Sequence, residues 1–195
     1  MSTDRPQDRF EALLEQHRGI VGKVAGLYCH HAEDRRDLAQ EIRAQLWRSF
    51  PRYDSARPFA TWMYRVALNV AISFARNASA RGRHFPARGG EDLEGLAERD
   101  DGEHEGAGPQ GLDRVLFLQR FLEGQGELDR ALLLLYMEEH SYRAIAEVLG
   151  ISETNVATKL SRLKLRLRRD ALHIEQRDAR GEPAKDGGRR WNSTN

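Results

Sequence analysis

Thr154, Asn155, Thr158, Lys159 and Arg162 recur at helical spacing, and each side chain ends in a group that can reach a base edge or a phosphate. Hydroxyls and amides both donate and accept hydrogen bonds, which suits the mixed pattern of the major groove, while Lys and Arg suit phosphate oxygens. Lys164, Arg166, Arg168 and Arg169 continue the positive charge, and Glu153 is the single acid between residues 153 and 169. If about half of these basic side chains touch phosphate, log affinity falls against log salt with a slope of roughly −3 from this element alone. The implied chemistry is recognition of DNA, with no covalent step.

These side chains must be carried by a helix that a second helix holds in place. Ile145, Ala146 and Leu149 recur at helical spacing, and Gly150 stands where a tight turn needs positive φ. Ser152 is placed to cap the next helix, whose Val156, Leu160, Leu163 and Leu167 turn one apolar stripe toward the first. The segment therefore reads as a helix-turn-helix with a basic helical extension. An ordinary amphipathic hairpin with solvated Lys and Arg is the alternative. A small Ala146, Gly150 four residues later and Val156 six after that favour the DNA-binding hairpin.

The chain has 195 residues, 39% hydrophobic and 31% charged, which suits one or two small helical domains. A net charge of +1 conceals segregation, because an acidic segment at 89–106 offsets basic stretches on either side. No apolar run approaches the roughly 20 residues of a membrane helix, and the N-terminus lacks the order of a signal peptide. The expected location is cytoplasmic, without membrane insertion. The single cysteine, Cys29, excludes an intrachain disulfide. With His30 and His31 it suggests half a metal site, yet three adjacent helical residues point in different directions and no second ligand pair has zinc spacing. No nucleophile and base, phosphate loop or paired carboxylates in a plausible pocket are found, so no enzyme, cofactor or metal is expected.

Upstream, Phe10, Leu13, Leu14, Ile20, Val21, Val24, Leu27 and Tyr28 follow the period of an amphipathic helix. A second helix is predicted from Asp34, burying Leu38, Ile42, Leu46 and Phe50 and ending at Pro51. A loop follows over 52–58, then a third helix to about Ala78, with Pro58 in its first turn and Phe59, Met63, Val66, Val70 and Phe74 as its core stripe. Residues 79–111 read as a flexible linker with an acidic middle. Helices are predicted over 112–122 and 128–137, ahead of the helix-turn-helix, and the tail after about 178 is expected to be disordered.

Two segments together resemble the sigma-70 family of bacterial transcription initiation factors, in the compact extracytoplasmic-function (ECF) form. The run DLAQEIRAQLWRSFPRYDSARPFATWMYRVALNVAISFAR, residues 37–76, is similar to region 2, and the helix-turn-helix is similar to region 4. The resemblance implies an all-α chain of two small helical domains joined by a flexible linker. Region 2 would occupy 8–80, the acidic linker 81–110, region 4 111–172, and a disordered tail 173–195. It also implies a non-catalytic subunit that directs RNA polymerase to promoters.

By the same resemblance, the patch of Asp37, Leu38, Gln40 and Glu41 docks the polymerase β′ clamp, and the chain also meets the β subunit. Trp62, Arg65, Asn69, Ser73 and Arg76 form a ridge at spacings of three and four, suited to the opened minus-10 element: aromatic faces stack on unpaired bases and Arg holds the backbone. Trp62 reads equally as a packing residue that pins the preceding loop. Tyr53 and Asn69 match a pocket for a flipped base. Thr154, Asn155, Thr158, Lys159 and Arg162 would read the minus-35 element.

Tyr53 replaces a Phe that some relatives carry, which leaves the preferred base open. Ala157 replaces a common Lys or Arg, which removes one candidate contact. Glu91, Asp92, Glu94, Asp100 and Asp101 of the linker would mimic nucleic acid within polymerase, or act only as a solubilising spacer. An anti-sigma factor is a further implied partner. The main rival is a stand-alone dimeric regulator that binds a palindromic operator through the same hairpin. A nonspecific nucleic-acid-binding or scaffold protein is the third reading.

Overall fold

Eight α-helices and one 3-10 turn make up the described residues, 5–80 and 109–179, in a computed structural model of the chain. They are α1 Pro6–Gln16, α2 Gly19–Tyr28, α3 Ala32–Ser49, the 3-10 turn Phe50–Arg52, α4 Phe59–Ala80, α5 Pro109–Glu123, α6 Glu127–Met137, α7 Tyr142–Leu149 and α8 Glu153–Ala179. The all-helical architecture is as expected from the sequence. The acidic linker residues and the last part of the tail lie outside the described residues.

The predicted continuous helix from Phe10 to Tyr28 is two helices. The His17 amide is shared between the carbonyls of Leu13 and Leu14, at 3.2 Å each, and Arg18 and Ile20 reach back only three residues, to Glu15 and His17. This tightened turn ends α1. The break lets Phe10 fold over the bundle, with its ring 5.0 Å from Phe50 and 5.2 Å from Trp47.

The second helix starts at Ala32, and Glu33 and Asp34 in its first turn oppose the positive end of the helix dipole. Leu38, Ile42 and Leu46 are completely buried and Phe50 nearly so, as the four-residue spacing predicts. Full burial of each such side chain contributes about 1.5–3 kcal/mol. Pro58 lies just before α4, its carbonyl accepting the Trp62 amide at 3.3 Å.

The core face of α4 is rotated from the predicted stripe. Phe59 and Met63 are buried, but Val66, Val70 and Phe74 are only half-buried. Tyr64, Ala67, Leu68, Ala71, Ala75 and Ala78 complete the buried face. The rotation follows from the number of neighbours, because α4 packs against α2 and α3 on one side and α6 and α7 on another. The alanines contribute little apolar area, yet they let those backbones approach closely.

Helix α5 begins at Pro109, so residues 109–110 belong to a helix and not to the linker. Helix α8 continues through 173–179, which corrects the predicted start of the disordered tail. That stretch holds no Gly or Pro to stop it. Leu132, Leu135, Ile145, Val156, Leu160 and Leu163 are buried between α6, α7 and α8, in a core continuous with that of the first four helices.

Candidate nucleic-acid and polymerase interfaces

Two serines and one glycine set the hairpin that presents α8. The Ser141 hydroxyl accepts the Ala144 amide at 3.2 Å and caps α7; the Ser152 hydroxyl accepts the Asn155 amide at 3.2 Å and caps α8, as predicted. Between them Gly150 has φ of 68° and ψ of 32°, the left-handed conformation that the turn requires. Val156, Leu160 and Leu163 are buried and Leu167 is half-buried, so the predicted apolar stripe faces α6 and α7.

On the opposite face Thr154, Asn155, Thr158 and Arg162 are exposed. The Thr158 hydroxyl donates to the Thr154 carbonyl at 2.9 Å, so it offers an incoming base its methyl group and an acceptor. Lys159 stands apart from that face. Its ammonium reaches Asp129 of α6 at 3.4 Å, and Arg166 reaches the same carboxylate at 3.3 Å. Lys164 lies over the Tyr136 ring, 3.9 Å from its centroid, and Arg169 meets Asp170 at 3.3 Å. The basic extension is therefore partly engaged within its own domain.

Along α4, Arg65, Asn69, Ser73 and Arg76 are all exposed on one side, with Trp62 half-buried at its start. The Trp62 ring joins an aromatic cluster, 5.1 Å from Tyr53, 5.2 Å from Phe59 and 6.3 Å from Phe50. This gives Trp62 a packing role that pins the 53–58 loop. The Tyr53 hydroxyl donates to the Arg57 carbonyl at 2.6 Å, and the Asp54 carboxylate accepts the Ala56 amide at 2.9 Å, closing the loop. Asn69 is exposed on α4 two helical turns, about 10 Å, beyond Trp62.

On α3, Asp37, Gln40 and Glu41 are exposed on one face, as their spacing requires. Leu38 departs from the predicted docking patch: it is completely buried, because the same four-residue period puts it in the core. It supports the patch from beneath. Cys29 is buried at the end of α2, and burial first, then the Asp34 carboxylate, pushes its thiol up to about 12. His30 approaches Glu123 with its Nδ1 at 3.6 Å. Among the described residues no group of three or more His, Cys, Asp or Glu is arranged to hold a metal ion, and no helix is long and apolar enough to cross a membrane.

One set of polar contacts had no signal in the sequence. Lys23 of α2 donates to both oxygens of Glu138, at 2.8 and 2.9 Å, and the Tyr64 hydroxyl donates to the same carboxylate at 3.2 Å. Tyr28 donates to the Glu127 carbonyl at 2.6 Å, His140 packs edge-on against Tyr64 at 5.2 Å, and Arg57 pairs with Glu147. Burial, and for Tyr64 also Glu138, raises both phenol pKa values, so both hydroxyls remain donors. These residues bridge 74 or more positions of chain, a separation that helical periodicity does not register.

Comparison with known proteins gives the same two regions in the same order. The Sigma-70 region 2 model matches residues 13–81, and a Sigma-70 region 4 model matches residues 127–167, together more than half of the chain. Among curated relatives, the ECF RNA polymerase sigma factor SigW of Bacillus subtilis is 25% identical over 88% of this chain and 91% of its own length. SigL of Mycobacterium tuberculosis is 28% identical over 76% of this chain and 81% of its own. The ECF RNA polymerase sigma-E factor of Haemophilus influenzae is 29% identical, with 80% and 83% covered. A solved structure of CnrH in complex with the cytosolic domain of CnrY shares the fold, with a TM-score of 0.58 at 22% identity, covering 84% of this chain and 87% of that one. The paired regions set aside a stand-alone regulator, and the chain belongs to the sigma-70 family of RNA polymerase sigma factors, in its ECF group.

Proposed function

We infer that this chain is a dissociable specificity subunit that binds core RNA polymerase, reads two promoter elements and helps open the DNA between them. The observation that carries this reading is the presence of two different nucleic-acid-suited faces on one chain. Thr154, Asn155, Thr158 and Arg162 of α8 project from a capped helix-turn-helix, as a duplex-reading helix requires. Arg65, Asn69, Ser73 and Arg76 of α4 form a ridge suited to a single strand. The first set takes the minus-35 element and the second the minus-10 element.

In this reading Asp37, Gln40 and Glu41 meet basic side chains of the polymerase β′ clamp, with the β subunit as a second contact. Tyr53, in the loop before α4, and Asn69, on α4, hold a base flipped out of the non-template strand. Binding of unpaired bases offsets unstacking costs of a few kcal/mol, so melting needs no nucleotide hydrolysis by this chain. Polymerase supplies the catalysis, and the work is done in the cytoplasm with the chromosome. An anti-sigma protein is the natural antagonist. The resemblance to CnrH, whose solved structure contains the cytosolic domain of CnrY, supports looking for one.

The test is run-off transcription from a promoter library with purified core polymerase, with and without this protein. The expected outcome is a set of protein-dependent transcripts that share two upstream elements. No such transcripts, together with no binding to core polymerase, overturns the reading.

A further inference from the structure

The contacts between the two halves have a consistent sign. The cations Lys23 and Arg57 come from the first half and the carboxylates Glu138 and Glu147 from the second, with the His30 imidazole 3.6 Å from Glu123 beside them. This clasp covers the α2 and α4 side of the first half with α6 and α7, and leaves the exposed α4 ridge and the outer face of α8 clear. It nevertheless holds the two DNA-suited faces close together. Promoter elements centred at −35 and −10 lie about 85 Å apart along B-form DNA at 3.4 Å per base pair. The 22 residues of α4 span only about 33 Å, and α7 packs directly on that helix. A chain bound to both elements must therefore have parted the clasp.

One contact of the clasp reaches into the minus-10 machinery. Arg57 belongs to the closed 53–58 loop, and its carbonyl is the acceptor for the Tyr53 hydroxyl at 2.6 Å. The loop is fixed from the other side by the Tyr53 ring, which stacks on Phe50 at 6.0 Å and meets Phe59 at 5.3 Å. The Arg57 guanidinium leaves a rigid base next to Tyr53: one terminal nitrogen pairs with the Glu147 carboxylate of α7, while its Nε lies 4.0 Å from the Asp54 carboxylate of the same loop. A carboxylate and a phosphate present the same oxygen pair to a guanidinium. The side chains of Arg57 and Glu147 are 57% and 41% exposed, so the pair is screened by water and open to competition.

We propose that Arg57 is a DNA-backbone contact of the minus-10-reading loop, and that Glu147 occupies it as an internal substitute for phosphate while the two halves are clasped. The proposal rests on the sigma-factor reading, since it assigns Arg57 to the strand that Tyr53 would read. Parting the halves arms the loop: Glu147 leaves with α7, and Arg57, with the exposed Asp54 carboxylate still 4.0 Å away, turns its outer nitrogens to the phosphate beside the base on Tyr53. The free protein then has one cation fewer for single-stranded DNA than the polymerase-bound protein has.

The experiment measures fluorescence anisotropy of the full chain with a labelled random-sequence single-stranded DNA 20-mer across a salt series, without polymerase. Glu147→Gln is expected to tighten binding several-fold and steepen the log–log salt slope by about 0.7, one additional phosphate contact on a single strand. Adding Arg57→Gln to that variant is expected to abolish the gain. An unchanged slope in Glu147→Gln overturns the proposal. So does a gain that survives in the double variant, because it would report general charge repulsion. A thermal melt confirms that each exposed, near-isosteric variant is folded. In the polymerase-bound form, Arg57→Gln is expected to shorten open-complex lifetime while Glu147→Gln does not; equal shortening by both overturns the assignment. If the wild-type chain directs no transcription with core polymerase, the sigma-factor reading has failed, and the salt series still decides whether Glu147 masks Arg57.

Discussion

At the scale of single residues, one backbone angle and one carboxylate lead to direct tests. Glu139, in the turn between α6 and α7, has φ of 59°, where a side chain bearing a Cβ is strained by about 1 kcal/mol. Glu139→Gly should relieve that strain, and the greater freedom of Gly in the unfolded chain offsets only part of it. The expected result is a rise in Tm of at most about 2 °C; a fall would mean that the turn holds its shape for another reason. Asp129 binds both Lys159 and Arg166, two cations of the DNA-suited extension. Asp129→Asn should release both and raise affinity for nonspecific duplex DNA. The salt slope should steepen by between about 1 and 2, at roughly 0.9 per phosphate contact. An unchanged slope would show that neither cation reaches the duplex.

Sequence patterning resolved this scale unevenly. Thr154, Asn155, Thr158 and Arg162 stand on the exposed face where their spacing put them, because helical period and cap alone determine that face. Lys159 does not, because its long side chain follows a partner on another helix. Leu38 is a different kind of discrepancy. Motif resemblance included it in the docking patch, whereas its spacing with Ile42 and Leu46 already placed it in the core.

At the scale of elements, period identified the helices better than it identified their buried faces. The face of α3 was legible because one set of neighbours covers it. That of α4 was not, because the large Val66, Val70 and Phe74 drew attention away from Ala67 and Ala71, which are completely buried. A small residue gives a weak hydrophobic signal even when it marks the closest approach of two backbones. Ala71→Leu therefore tests the observed face. It should destabilise the chain by about 1–3 kcal/mol through overpacking, read as a lower urea midpoint. The break at His17 was hidden for a similar reason: apolar spacing continues across it, and only the three-residue hydrogen bonds of Arg18 and Ile20 reveal the turn.

At the scale of the whole molecule, the clasp is an equilibrium that solution conditions should move. His140 faces Tyr64 of α4, Glu138 lies beside it, and Lys23 of α2 meets that same carboxylate. Burial lowers the His140 pKa, with Glu138 opposing, so the neutral imidazole is the form that suits the closed state. Its pKa is lower when clasped than when free, and the open state binds more protons. The His140 contribution is therefore present above its ordinary value of about 6.5 and is lost as pH falls through the lowered value of the closed state. Small-angle scattering should show a larger radius of gyration at pH 5.5 than at pH 7.5. His140→Phe keeps a ring against Tyr64 without a titrating nitrogen, and should flatten that difference. A dependence that persists undiminished in His140→Phe would move the pH response away from the Tyr64 contact. A flattened one would make that imidazole a measure of whether the two DNA-suited halves are free to separate.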